Sequence, residues 1–374
     1  MVGLRYFSLL GTSGYAQAAR RYLTALKLLG VPVTWTPIVQ HSVGWTLFEG
    51  RSVGDPELDP ICNLPITYDV AVLHLMPHFY PRLVESLPGK RIAAYTVWET
   101  DTLPRRWLRF LKNIDIVITP CEWNRKVFSM GGYTRPIEVV PHSLEPGQAP
   151  LAERSRDQEE FVFYTINAWS YRKAVDLTIK AFLRAFTPAD KVRLVVKTSR
   201  RHEMLRIPFT TCCPVSTRWL IERILRGHPD PPPITVITDT VPVAAIKEIH
   251  ANGDCFVSLT RGEGWGMGAC DAAAAGRPVI ITGFGGQTEF LPADLAYLVN
   301  FRMTRIPFLP AEQFEYGQTW ADPDIGHAAA LMRHVFENRD ESRRRAGELA
   351  PRICSAYEHK SVGERLVRAL KNHF

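Results

Sequence analysis

The chain has 374 residues, 46% of them hydrophobic and 22% charged, which excludes a disordered, collagen-like or coiled-coil protein and is enough to bury two full cores. Its net charge of +7 favours anionic partners such as nucleotides, anionic lipid surfaces or nucleic acid, with a mildly basic solvated surface as the plain alternative. Seven scattered cysteines, with the adjacent Cys212-Cys213 in no zinc spacing, argue against a disulfide framework, and no apolar run approaches the ~18 residues of a membrane span.

Leu4–Leu10 reads as a first strand, Gly11-Thr12-Ser13-Gly14 as a turn carrying a helix N-cap, and Tyr15–Leu29 as a helix with apolar or small residues at helical spacing. Gly30 stops that helix, and Val31–Trp35 reads as a second strand. A strand, glycine loop, helix and strand make a βαβ opening whose loop faces a ligand crevice, although Gly11-x-x-Gly14 is equally a tight turn with no ligand. Gln40–Pro65 reads as loop, with Trp45, Leu47 and Phe48 as core or as a face for an acceptor or membrane. Asp69–Leu75, Arg91–Val97, Asp115–Thr119 and Ile137–Val140 are β-branched runs, and a helix is expected over Glu122–Met130. Such runs alternating with helices predict a parallel sheet covered on both faces. His74, Glu99 and His142 then fall at strand C-terminal ends, either lining a crevice or making structural hydrogen bonds.

The proline- and charge-rich stretch Glu145–Glu159 marks a domain boundary, dividing 1–150 from 151–374. After it the pattern restarts, with strands at Phe161–Ile166 and Val192–Lys197 around a helix at Ala174–Phe186. The basic, then proline-rich span Ser199–Pro233 reads as an insertion. Ile234–Thr238, Cys255–Leu259, Pro278–Thr282 and Ala296–Val299 read as strands, Val243–His250 as a helix, and 324–338 and 343–374 as C-terminal helices. The strand ending at Leu259 runs into Arg261-Gly262-Glu263-Gly264-Trp265-Gly266-Met267-Gly268, and a helix opening near Gly268 carries Asp271 in its first turn. A strand, a glycine loop and a helix N-terminus form an anion site, because backbone N–H groups and the helix dipole point at the ligand. Two carboxylates beside it would repel a bare phosphate but accept hydrogen bonds from the hydroxyls of a phosphorylated sugar.

Gly11–Gly14, Arg172-Lys173 and Glu263–Asp271 together resemble the retaining family 4 glycosyltransferases of the GT-B fold, along nearly the whole chain. The most specific part is Gly262–Met267 with the acid at Asp271, followed by Ala274-Ala275-Gly276-Arg277-Pro278-Val279-Ile280; Pro141-His142-Ser143 resembles the motif closing the family's first domain. The resemblance implies an α/β fold of two facing Rossmann-like domains with a cleft between them, 1–150 on the acceptor side and 151–374 binding a nucleotide sugar, the last helix crossing back. It implies that Glu263 accepts from donor-sugar hydroxyls, that Asp271 accepts from the ribose, and that N–H groups from Gly264, Trp265, Gly266, Met267 and Gly268 meet the sugar and diphosphate. Lys173 would neutralise the diphosphate with Arg172 beside it, the Gly11–Gly14 loop would close on it, and Thr240 and Val241 would meet the base. The sequence departs from the family at three places. Asp271 replaces a Glu and reaches one carbon less far; Asn167-Ala168 stands where an Arg is common, leaving Arg172, Lys197 or Arg261 to supply the cation; and Trp98-Glu99 stands where a His is frequent, which places Glu99 at a sugar or acceptor hydroxyl.

The reaction the resemblance implies is transfer of a sugar from a nucleotide-diphosphate sugar to a hydroxyl of a sugar or glycoconjugate acceptor, with retention, and with Glu263, Lys173 and Glu99 as the catalytic set. The leaving phosphate oxygen serves as base. The donor is a substrate, and no cofactor or metal is expected, since no Asp-x-Asp follows a strand; Asp322-Pro323-Asp324 precedes a helix and reads as its cap. An epimerase or phosphorylase-like GT-B enzyme, or a non-catalytic nucleotide- or anion-binding protein, remains the alternative. A dinucleotide-binding oxidoreductase needs Gly-x-Gly-x-x-Gly, which Gly11–Gly14 does not supply, and no nucleic-acid partner is expected because no aromatics interleave with the cations. A cytoplasmic setting is expected, since no signal core precedes Gly11, with peripheral contact to an anionic membrane as a further expectation.

Overall fold

A computed structural model describes residues 2–41, 44–151, 160–206, 214–307 and 314–374, and the side chains of 203–206 are not described. Cys212-Cys213 and most of the stretch read as linker, 152–159, lie outside the described residues. The chain divides into two compact units, Met1–Gly147 with Ala356–Phe374, and Gln148–Ser355.

In the first unit β1 (Leu4–Leu9) leads to α1 (Gly14–Leu28), whose N-terminus is capped by Ser13 Oγ accepting from Ala16 N at 3.3 Å. There follow β2 (Val33–Gln40), β3 (Trp45–Leu47), β4 (Val70–His74), α2 (Tyr80–Glu85), β5 (Arg91–Tyr95), α3 (Arg105–Phe110), β6 (Ile116–Thr119), α4 (Glu122–Met130) and β7 (Ile137–Val139). The sheet order is β3-β2-β1-β4-β5-β6-β7, parallel apart from the antiparallel β3. Its strands are buried on both faces because helices cover each side, which is why they read as unbroken apolar runs. The short β3 lies within the span expected to be loop. Trp45 on it packs against Phe79 at 5.6 Å with the Arg82 guanidinium 4.6 Å over its ring, and Phe48 packs on the core.

In the second unit β8 (Phe161–Ile166), α5 (Val175–Ala185) and β9 (Val192–Lys197) precede a small antiparallel pair, β10 (Arg201–Arg206) and β11 (Pro214–Ser216). Then come α6 (Thr217–Leu225), β12 (Ile234–Ile237), α7 (Val243–Asn252), β13 (Cys255–Ser258), α8 (Met267–Ala274), β14 (Val279–Thr282) and β15 (Tyr297–Val299). The hairpin β16 (Phe301–Arg305) with β17 (Thr319–Pro323), then α9 (Ile325–Glu337) and α10 (Arg339–Ala356), complete it. The main sheet, β12-β9-β8-β13-β14-β15, is wholly parallel. Asp324 Oδ1 accepts from His327 N at 3.0 Å and caps α9, the role expected of it. The last helical stretch is two helices rather than one, broken at Tyr357-Glu358, with α11 (His359–His373) packed in the first unit against α1. Gly363 allows that approach: a Cβ there would sit 2.8 Å from Ala25 Cβ.

Both sheets reverse their winding direction once, between β1 and β4 and between β8 and β13. In open α/β sheets the ligand crevice lies at such a point, beyond the strand C-termini. The two Rossmann-like sheets are therefore each organised to present the loops after those strands.

Candidate active site

At the switch point of the second sheet, β8 feeds residues 167–174 and β13 feeds residues 259–266. Hydrogen bonds knit these two loops together. Arg261 N donates to Arg172 O at 2.7 Å, Arg172 Nη1 to Gly262 O at 2.8 Å, and Thr260 Oγ1 to Arg172 O at 3.2 Å. Below them, Asn167 Nδ2 donates to Ser258 Oγ at 3.1 Å, joining the ends of β8 and β13. Ala174 takes a left-handed φ of +46°, turning the first loop into α5 and leaving Lys173 on the loop's face.

Lys173 Nζ forms an ion pair and hydrogen bond with Glu263 Oε2, and Arg172 Nη1 lies 3.8 Å from the same oxygen. The three side chains are only 14–20% exposed. Burial by itself pushes the Glu263 carboxyl up, but the Lys173 and Arg172 charges, with hydrogen bonds from Lys173 and from Gly266 N, outweigh it and hold the group below its ordinary value. Glu263 is thus an ionised carboxylate in a mostly desolvated loop.

A second glycine turn fixes that loop from behind. Gly286 N donates to Glu263 O at 2.8 Å, and a Cβ on Gly285, which has φ +89°, would lie 2.4 Å from the same oxygen. Gly266, at φ +91°, joins the Glu263 loop to α8 and has no side chain to cap the first amides of the helix. Gly268 lets α8 lie close to the sheet, with a Cβ there meeting Ile166 O and Phe256 at 3.4 Å. The helix opens at Met267, one residue earlier than expected. Trp265 turns its ring inward, 4% exposed and 4.9 Å from Phe290, so only its backbone faces the loop.

The other expected residues are more dispersed. Asp271 is half-buried as the fifth residue of α8, just past the first turn in which it was expected. Lys197 ends β9 opposite Ile166; its Nζ donates to Thr198 O at 3.2 Å, and burial lowers its ammonium below the ordinary value against the opposing pull of Asp239. Arg261 is committed elsewhere: Nε pairs with Asp322 Oδ1 at 3.1 Å, Nη1 donates to Tyr171 O at 2.6 Å, and the guanidinium lies 5.5 Å over Trp320. Asp322 and Trp320 come from β17, a strand the periodicity did not disclose, because its buried residues Trp320, Ala321 and Pro323 do not alternate along the strand. Thr240 is exposed and Val241 half-exposed after the edge strand β12. Among the described residues, no group of three or more His, Cys, Asp or Glu is placed to hold a metal, and no helix is long and apolar enough to cross a membrane.

Gly11, Gly14 and Glu99 belong to the first unit. Gly11 takes φ +137° after β1, Gly14 opens α1, and Glu99 is half-buried after β5. Tyr15 ties these loops together, its hydroxyl accepting from Val97 N at 3.0 Å. His74 and His142 do not line a crevice. Both are buried, with His74 Nδ1 2.7 Å from Tyr6 OH and His142 Nδ1 3.2 Å from Tyr95 OH. Burial, with Arg21 adding to it, lowers His142 to about 3.

No protein-family model and no curated protein matches this sequence. Solved structures do. HepE of Anabaena, in complex with UDP and glucose, is 10% identical over 100% of both chains with a TM-score of 0.67. Sucrose-phosphate synthase of Thermosynechococcus elongatus is 12% identical over 100% of this chain and 99% of that one, with a TM-score of 0.71. An E. coli trehalose-6-phosphate protein bound with UDP-2-fluoro glucose is 15% identical over 98% of each chain, with a TM-score of 0.63. At these identities the likeness is one of fold, and the two Rossmann-like sheets are those of the GT-B fold.

Proposed function

We propose that the chain is a nucleotide-sugar-dependent glycosyltransferase that retains anomeric configuration, similar to family 4, and that its donor lies at the switch point of the second sheet. One observation carries this reading: an ionised, largely buried Glu263 set between Lys173 and Arg172 and in front of an uncapped helix N-terminus. A site for a bare anion has no use for that carboxylate, whereas a sugar phosphate supplies hydroxyls to it and oxyanions to the cations and amides. The uridine-nucleotide sugars held by structural neighbours of this fold support the same donor class.

In this reading Glu263 orients the sugar hydroxyls. Lys173 is shared between Glu263 and the diphosphate, keeping the carboxylate charged until the donor arrives and stabilising the leaving group as its bond breaks. Asp271 accepts from the ribose. Thr240 and Val241 follow β12, two strand spacings or ~10 Å from β8, a distance suited to the base. Lys197 replaces the cation missing at Asn167-Ala168, since Arg261 is already bound to Asp322. Glu99 is the acceptor-side candidate. As the anomeric C–O(phosphate) bond breaks, the acceptor oxygen bonds to the same face and its proton passes to the departing phosphate oxygen, so no protein nucleophile or metal is required.

The test is nucleotide release from a panel of nucleotide sugars, with and without sugar acceptors, read together with the anomeric configuration of the product by NMR. At least one donor is expected to turn over, and Glu263→Ala to reduce kcat/KM by 100-fold or more. If no nucleotide sugar binds and Glu263→Ala leaves every measured property unchanged, the reading fails.

A further inference from the structure

We propose a second binding site at the opposite edge of the second sheet, a cationic cavity that takes a small phosphate-bearing dianion, built from Arg277, Arg339 and Arg343. The inference is independent of the proposed transferase activity.

The cavity has a volume of about 120 Å³. Its walls come from the strand N-terminal ends, where Phe161 begins β8, Asp254 precedes β13 and Pro278 precedes β14, together with the first turns of α10. Glu263 follows the C-terminal end of β13. At ~3.3 Å per residue, the length of the strands alone separates the two sites by more than 10 Å. The charged residues lining the cavity are three arginines and one aspartate.

The arginines are held in place rather than loose. Arg277 is 6% exposed, with Nε donating to His250 O at 3.0 Å and Nη2 to Ala251 O at 3.1 Å. The Arg339 guanidinium lies 5.0 Å over Phe161 and 4.8 Å over Phe336, with Nε donating to Phe336 O at 3.2 Å. Asp254 accepts from Val162 N at 2.8 Å through Oδ2. Among the described residues neither Arg339 nor Arg343 forms an ion pair with a carboxylate, and both are half-buried. Burial lowers the Arg339 guanidinium, Asp254 acts against this, and the like charge of Arg343 lowers it further. Three guanidinium groups line one small cavity against a single carboxylate, which leaves positive charge unbalanced, and an anion relieves it. The N-terminus of the 18-residue α10 adds to the same field, offset in part by Asp340 and Glu341 in its first turn, neither of which lines the cavity.

Size and lining set the ligand class. The volume is somewhat below the ~150 Å³ that takes a benzene ring, room for the phosphate group itself, with the carbons of an ester reaching out past the rim. Pro150, Leu151 and Ala350 offer an apolar wall to those carbons, while planar guanidinium forks suit the phosphate oxygens.

Calorimetric titration of the full chain with inorganic phosphate and with glycerol phosphate, at matched chloride ionic strength, tests the proposal. Saturable binding of at least one is expected, weakened tenfold or more in the Arg339→Gln/Arg343→Gln double variant and retained in Lys173→Met. Tighter binding of the ester points to a phosphorylated small molecule, and equal binding to phosphate itself. Should the double variant fail to fold, Arg343→Gln alone, which leaves the stacking of Arg339 in place, is expected to weaken binding at least threefold. Absence of saturable binding by both anions, unchanged affinity in the arginine variants, or loss of binding with Lys173→Met overturns the proposal.

Discussion

The contact between Lys173 and Glu263 bears on stability and, in the proposed reaction, on the chemistry. Glu263 titrates in the folded chain below its unfolded value of about 4.3. Its contribution to stability is therefore full above that pH and lost as the pH falls through the folded value. Lys173→Met removes the nearest charge and donor and leaves a buried carboxylate with Arg172 alone. The variant is expected to be about 2 kcal/mol less stable at pH 7, with the gap to wild type narrowing as the pH falls and Glu263 protonates in both chains. Urea unfolding at pH 7 and pH 3.5 reads this; a gap that does not change with pH would rule it out. His142 acts in the same direction over a higher pH range. Its folded value of about 3 lies below the ~6.5 of the unfolded chain, so between those values the unfolded state binds more protons and stability falls as the pH drops. From pH 7 to pH 5 this one group costs about 2 kcal/mol, and His142→Gln is expected to flatten that part of the profile; an unchanged slope in the variant would remove His142 from the account.

At the scale of elements, the Glu263 loop is positioned by a partner distant in sequence. Gly285-Gly286 comes after β14, yet its backbone carries the hydrogen bond that holds Glu263 O. Gly285→Ala places a methyl where the carbonyl lies, at a φ of +89°, and the turn must shift. The expected result is a loss of about 1–3 kcal/mol in stability, together with at least tenfold weaker nucleotide-sugar binding by calorimetry. Wild-type donor affinity in Gly285→Ala would show that the turn does not position the carboxylate. Arg261 follows the same logic through β17. β17 supplies Asp322 and the buried Trp320, and together they commit the Arg261 side chain.

For the whole molecule, the net charge of +7 raises the question of what the basic surface meets. Arg105, Arg109 and Lys112 are exposed on and just after α3 of the first unit, a suitable contact for anionic lipid. Co-sedimentation with phosphatidylserine-containing vesicles is expected at 20 mM salt and to be lost at 500 mM, because the attraction is screened over about 10 Å at 0.1 M. Protein remaining wholly in the supernatant at low salt would exclude the lipid surface.

The parallel sheets were legible in the sequence because buried strands must be continuous apolar runs, and Val70–His74 and Cys255–Ser258 are such runs. The glycine loop with Glu263 was legible because close backbone approach and positive φ at Gly266 restrict the residue type. Sequence alone thus determined the α/β class and the two similar halves, and it singled out the glycine loop around Glu263. Tertiary structure decided the rest. It buried His74 and His142 among tyrosines rather than in a crevice, since a polar residue at a strand end carries no local sign of which way it faces. It bound Arg261 to Asp322, brought Gly285-Gly286 beneath Glu263, and set Arg339 and Arg343 around a cavity with Arg277. Each of these depends on elements far apart in the chain meeting across a sheet, and spacing along a sequence encodes only contacts made within one element.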